Sequence, residues 1–100
     1  MKYIFENQKK ESIKMSNPTL ITELIVSLEN NELVLVTFTT KTGTLRVMGC
    51  TRLLSAIPES EYEGRFDPQL NRKEIICVYD FQNSAWRAFR KDSVVEFRIV

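Results

Sequence analysis

The sequence predicts a mainly β domain: one N-terminal helix, then five short antiparallel strands that bend into a small barrel. Three observations carry that expectation. Leucines at 20, 24 and 28 recur every four residues and then stop. From Leu33 onward the chain breaks into short runs rich in β-branched and aromatic side chains, several of them alternating with a period of two. The last two runs are separated only by Lys91, Asp92 and Ser93, too few residues for a crossover and enough for one tight turn. One hundred residues support one domain with one core.

Residues 1–15 read as an N-terminal arm, polar after Tyr3, Ile4 and Phe5; it is either a flexible tail or a short edge strand at those three residues. Residues 16–31 read as a capping helix. Ser16 or Asn17 supplies the N-cap, Pro18 takes the first helical position where its missing N–H costs nothing, and Asn30 and Asn31 end it. Ile21 and Ile25 widen the leucine stripe, which needs a cover; packing on the domain's own barrel is the default.

Residues 32–100 read as the barrel. Leu33–Thr40 and Thr44–Thr51 form a hairpin around Gly43, which is free to take a positive φ. The stretch Arg52–Ser60 gives a short helical turn before Pro58, and Glu59–Lys73 a polar loop with Gly64 and Pro68. Glu74–Asp80 is the third strand. Ala85–Arg90 is the fourth, with Trp86, Ala88 and Arg90 on one face and Arg87 and Phe89 on the other. Val94–Val100 is the fifth, with Val95, Phe97 and Ile99 opposed to Glu96 and Arg98. Five strands this short close best as an SH3/Sm-like barrel, and the three-residue link before the last strand resembles the 3₁₀ turn of such barrels.

Composition narrows the function. There are no histidines, which removes the commonest general base and the commonest metal ligand. Two cysteines, Cys50 and Cys77, are too few for a thiolate zinc site and read as reduced, buried residues. No Ser-His pair or glycine-rich phosphate loop is present. The expectation is therefore no enzyme, no cofactor and no metal. No run of about 18 apolar residues exists, so no membrane association is expected, and the N-terminus lacks the apolar core of a signal peptide; the expected location is the cytoplasm.

Net charge is +1, but it is unevenly spread. Lys41, Arg46 and Arg52 against Glu32 give +2 over residues 32–56, six acids against three bases give −3 over 57–80, and residues 81–100 return to +2. The basic excess sits on strands and the acid on the loop between them.

The segments "TGTLR" (Thr42–Arg46), "VYD" (Val78–Asp80) and "WRAFRKDSV" (Trp86–Val94) resemble a family of small phage-encoded proteins with an Sm-like or SH3-like barrel, related to the WYL domain. The resemblance spans Val36–Val95. The Trp-Tyr-Leu triplet is absent; "CVYD" occupies the corresponding strand, with Tyr79 in the place of the central aromatic. The resemblance implies a barrel, a phage origin with residence in the host cytoplasm, and a nucleic-acid or nucleotide contact.

The site expected on these grounds is a nucleic-acid-binding face made of Lys41, Arg46, Arg87 and Arg90, with Trp86 and Tyr79 as stacking aromatics. Arginine offers a planar fork to phosphate and a flat surface to a base, and exposed aromatics let single strands stack. The competing reading pairs whichever of Arg87 and Arg90 points inward with Asp80 and makes it part of the core. The candidate partners are RNA or single-stranded DNA; the alternative is a protein-protein module that modulates a host factor through the acidic loop or the helix. Self-association through the helix or the barrel edges is a further candidate.

Overall fold

The leucine stripe folds as helix α1, Thr19–Asn30, in a computed structural model that describes the backbone of residues 13–14 and all of residues 20–100, with Thr19 opening the helix. Leu24 and Leu28 are fully buried and Ile25 packs beside them, so the stripe is spent on the domain's own core. Each such leucine contributes about 1.5–3 kcal/mol by leaving water. The helix ends because its last carbonyls are taken by side chains: Asn30 Nδ2 donates to Val26 O at 2.7 Å and Asn31 Nδ2 to Ser27 O at 2.8 Å. Its end is tied to the sheet, where the Arg52 amide donates to Leu28 O at 2.9 Å and Thr51 Oγ1 lies 2.7 Å from Asn31 O.

The strands follow as β1 (Ile13–Lys14), β2 (Val34–Thr39), β3 (Leu45–Thr51), β4 (Ile75–Asp80), β5 (Ala85–Arg90) and β6 (Val94–Ile99). They form one antiparallel sheet in the order β1-β6-β2-β3-β4-β5. The five expected strands are all present, and the N-terminal arm adds the two-residue β1 to the edge of β6. The expected strand at Tyr3–Phe5 and the N-cap at Ser16–Pro18 lie outside the described residues.

β3 is where the sheet turns. It pairs with β2 from Leu45 to Cys50 but with β4 only at Cys50 and Thr51. The sheet then curls so that one face becomes the interior, where Val34, Val36, Met48, Val78, Phe97 and the two helix leucines meet. β5 and β6 are not hydrogen-bonded neighbours, so the ladder stays open. The gap is spanned by a single 3₁₀ turn, Lys91–Ser93, and by the Phe38 and Phe89 rings, stacked with centroids 5.3 Å apart and planes 18° from parallel.

Three expectations change. The expected alternation sets Val95 on one face with Phe97 and Ile99, but Val95 is 39% exposed while Val94 and Phe97 are buried. The register shifts between Thr37 and Phe38, so Thr37 faces Glu96 and Phe38 faces Val94, leaving Val95 as the extra residue of a bulge. The acidic segment was read as a loop, yet Glu59–Phe66 is a continuous 3₁₀ run. Asp80 was the candidate partner for an inward arginine. It is buried, but its carboxylate accepts from the Gln82 and Asn83 amides and from Asn83 Nδ2 at 2.7–3.4 Å, closing the β4–β5 turn by itself.

Candidate nucleic-acid interface

The open side of the barrel leaves a groove of about 550 Å³ along the free edge of β5. Phe38 and Phe89 belong to its lining, with Lys41 on the hairpin side and Arg90 and Ser93 on the other. Lys41 stands at the hairpin tip, where Gly43 takes φ +87° and its amide donates to Thr40 O at 2.9 Å. The hydroxyls of Thr40, Thr42 and Thr44 run in a chain at 3.0 and 3.3 Å, which stiffens that tip.

Register fixes the two arginines. Arg46 is the cross-strand partner of Phe38, and directly opposed residues share a face. Arg87 lies two residues from Phe89 on β5, again on one face. Since Phe38 and Phe89 stack, Arg46 and Arg87 flank one aromatic pair from two strands. Both arginines and Lys41 are exposed, and among the described residues none of the three makes a side-chain hydrogen bond or ion pair.

Arg90 differs. Its Nε and Nη2 donate to Asp92 at 3.0 and 2.9 Å, a bidentate fork on the surface. These bonds hold the Asp92 carboxyl below the usual carboxylate range. Arg90 lines the groove with its charge already answered, so neither Arg87 nor Arg90 points into the core and neither pairs with Asp80.

The two aromatics are packed rather than presented. Tyr79 is 4% exposed. Trp86 meets it edge-to-face with centroids 5.8 Å apart, and Phe81 meets it likewise at 5.7 Å. Trp86 Nε1 donates to Glu61 O at 2.5 Å, and Gly64 sits so close that a Cβ there would lie 2.2 Å from Trp86 Cδ1. The acidic run thus covers the outer face of β4 and β5, with the Tyr62 hydroxyl donating to Leu54 O at 3.0 Å as a second tether. A stacking platform at Tyr79 and Trp86 does not fit this burial. The sequence signal for the cover was a glycine amid acids, facing the only tryptophan in the chain.

A second basic cluster escaped the sequence reading. Arg52, Arg72, Lys73 and Lys91 line one pocket, although they come from three separate stretches and two of them sit in the net-acidic segment. Segment charge sums cannot see such a convergence.

The thiols are inert by placement. Burial, with the Asp80 charge adding to it, pushes the Cys50 thiol up to about 12, and burial raises Cys77 as well. Both are free, and among the described residues no group of three or more Cys, Asp or Glu side chains could hold a metal ion. No helix among the described residues is long and apolar enough to cross a membrane.

Comparison with known proteins places this geometry. The family model described as WYL_2, Sm-like SH3 beta-barrel fold, matches residues 21–95, from the first turn of α1 to the start of β6. The chain belongs to the WYL_2 family. The match includes the helix as well as the barrel, so α1 is part of the family domain, while the sequence resemblance had covered only Val36–Val95. No curated protein and no solved structure matches the chain.

Proposed function

We propose that this WYL_2 domain is a non-enzymatic binding module that contacts single-stranded nucleic acid, RNA or DNA, with Lys41, Arg46 and Arg87 as its phosphate contacts. The observation that carries the reading is the placement of Arg46 and Arg87. They are exposed and unanswered by acid among the described residues, and they flank the stacked Phe38–Phe89 pair beside a groove that Lys41 borders. Arg90 lines the groove beside that face, held in its ion pair with Asp92, which an incoming phosphate would have to displace. With Tyr79 buried and Trp86 half-buried and tethered to the acidic run, the face offers charge rather than base stacking, so contact runs through the backbone and tolerates sequence. Regulatory use in a phage-infected host cytoplasm belongs to this same proposal.

Fluorescence anisotropy with labelled single-stranded RNA and DNA tests it. Three cations on a single strand give a log-log salt slope of about −2. Removing Arg46 and Arg87 together by alanine lowers that slope by more than half. No binding at low salt overturns the reading.

One observation favours a protein partner instead. Leu45 and Val47 are 61% and 57% exposed on the outer face of β3. The helix spends Leu24 and Leu28 on the domain's own core, while the acidic run presents Phe66, 72% exposed. A co-purification in which Leu45→Ser and Val47→Ser together release a stoichiometric partner would support that alternative, and retention of the partner would oppose it.

A further inference from the structure

The pocket that gathers Arg52, Arg72, Lys73 and Lys91 has no carboxylate in its lining. Its remaining walls are mostly apolar: Ile25 from α1, and Ile75, Ile76 and Cys77 from β4. Low polarity beside concentrated positive charge strengthens any interaction with an anion. The volume is about 360 Å³, at the small end of ligand pockets, which run from roughly 300 to 1,000 Å³.

Arg52 forms the fixed wall. Its side chain is 17% exposed, and its Nη1 donates to Cys77 O, which locks the guanidinium against β4. Its Nε is fully shielded from solvent and has no hydrogen-bond partner. The nearest acid, Glu29, stands 3.7 Å from that Nε and is itself 44% exposed, so it only partly answers the charge. The Arg52 charge is thus held close to the pocket and only partly compensated, and an anion in the pocket would be drawn to it by Coulomb attraction across a partly apolar wall.

The other cations are held at the rim by backbone bonds. Asn71 Nδ2 donates to Arg65 O and Asp67 O at 2.5 and 2.8 Å, which latches the loop just before Arg72 and Lys73. The Ile75 amide donates to Arg72 O at 3.2 Å. The Lys91 amide donates to Glu74 O at 2.9 Å, bringing the β5–β6 turn against the start of β4. Among the described residues Arg72, Lys73 and Lys91 form no ion pair.

We propose that this pocket binds a phosphate group, as a phosphomonoester dianion, with the Arg52 guanidinium as the fixed fork and Arg72, Lys73 and Lys91 as the closing charges. The site uses none of the residues of the groove. It is joined to the groove at one point: in the turn between β5 and β6, Lys91 lines the pocket while Asp92 and Ser93, with Arg90 at the end of β5, line the groove. A phosphate could therefore arrive as the terminal phosphate of a strand lying in the groove, or on a free mononucleotide.

Amide chemical-shift titration of the full chain with inorganic phosphate, a nucleoside monophosphate, and matched 5′-phosphorylated and 5′-hydroxyl oligonucleotides tests the proposal. Saturable shifts with inorganic phosphate are expected at residues 52, 71–73, 76–77 and 91. Lys91→Gln and the double variant Arg72→Gln/Lys73→Gln, all near the rim and away from the core, should each weaken phosphate binding about tenfold. Arg46→Ala/Arg87→Ala should leave it unchanged. Preference for the 5′-phosphorylated over the 5′-hydroxyl oligonucleotide assigns the pocket to strand ends; equal binding of the two oligonucleotides with retained mononucleotide binding assigns it to a free nucleotide. Phosphate binding without oligonucleotide binding would sink the strand-binding reading and leave the pocket standing. No saturable shift with phosphate or mononucleotide, or shifts spread evenly over every lysine and arginine, would overturn the pocket.

Discussion

The two basic regions of this domain hold similar numbers of cations and differ in what surrounds them. Beside the groove, Lys41 on the hairpin tip and Arg46 and Arg87 on strands stand in water, each free of acid among the described residues. At the pocket, Arg52 is mostly withdrawn from water, with one N–H left over, and its companions sit on turns. Exposed charges act through a high dielectric, are screened by salt and hold no fixed geometry. A withdrawn guanidinium is directional and costly to leave unanswered. The groove is therefore suited to weak, sequence-tolerant, salt-sensitive contact, and the pocket to one defined anion. Similar charge in the sequence stands for two different electrostatic settings.

The most severe way to break the contrast is to remove the packing beneath the groove. Phe89→Ala deletes half of the stacked pair that spans the open ladder and should lower stability by about 3–5 kcal/mol, measured by urea unfolding. Both regions would fail together, because β5 leads directly into the turn that carries Lys91. A smaller effect separates the regions from the acidic cover. Gly64→Ala drives a methyl group into Trp86 and should cost about 1–3 kcal/mol, with a shift in tryptophan emission. Oligonucleotide binding should survive it, since Glu59–Phe66 lies on the outer face; loss of binding would show that the cover shapes the groove.

Arg46→Ala and Arg87→Ala should change stability by no more than about 0.5 kcal/mol, because exposed side chains without partners carry little of the fold. Any larger loss would mean that they are structural. The smallest effect is expected at the thiols. At neutral pH Cys50 and Cys77 should resist maleimide in the folded protein and react only on unfolding. The sign at alkaline pH follows from the raised Cys50 value: unfolded thiols ionise near 9 while the folded one stays protonated to about 12, so stability holds below about 9 and declines as pH rises between those values. A flat stability profile over that range would contradict the buried placement.

Local signals made the fold readable. The four-residue leucine period gave α1 and its end at Asn30, and the alternating runs gave five strands with ends displaced by one residue at most. Lys91–Ser93 was legible as a turn because three residues leave no other option. What misled was strict alternation in β6, since a bulge opposite Thr37 and Phe38 is a property of the pairing and leaves no mark on one strand alone. The site was half legible. Arg46 and Arg87 are exposed on strands as their spacing allowed, but Tyr79 and Trp86 are hidden because a segment with mainly polar composition folds back over them. The pocket was not legible at all: Arg52, Arg72, Lys73 and Lys91 meet only after β3, β4 and the β5–β6 turn are in place.

The central claim is that the groove face binds single-stranded nucleic acid through unanswered surface cations. Anisotropy titrations of the wild-type and Arg46→Ala/Arg87→Ala proteins against one labelled oligonucleotide, over a series of salt concentrations, test it most directly. The account predicts wild-type binding that weakens with salt at a log-log slope of about −2, and a double variant that stays folded with its slope reduced to about −0.7. Wild-type binding indifferent to salt, or a double variant with unchanged affinity and slope, would contradict it.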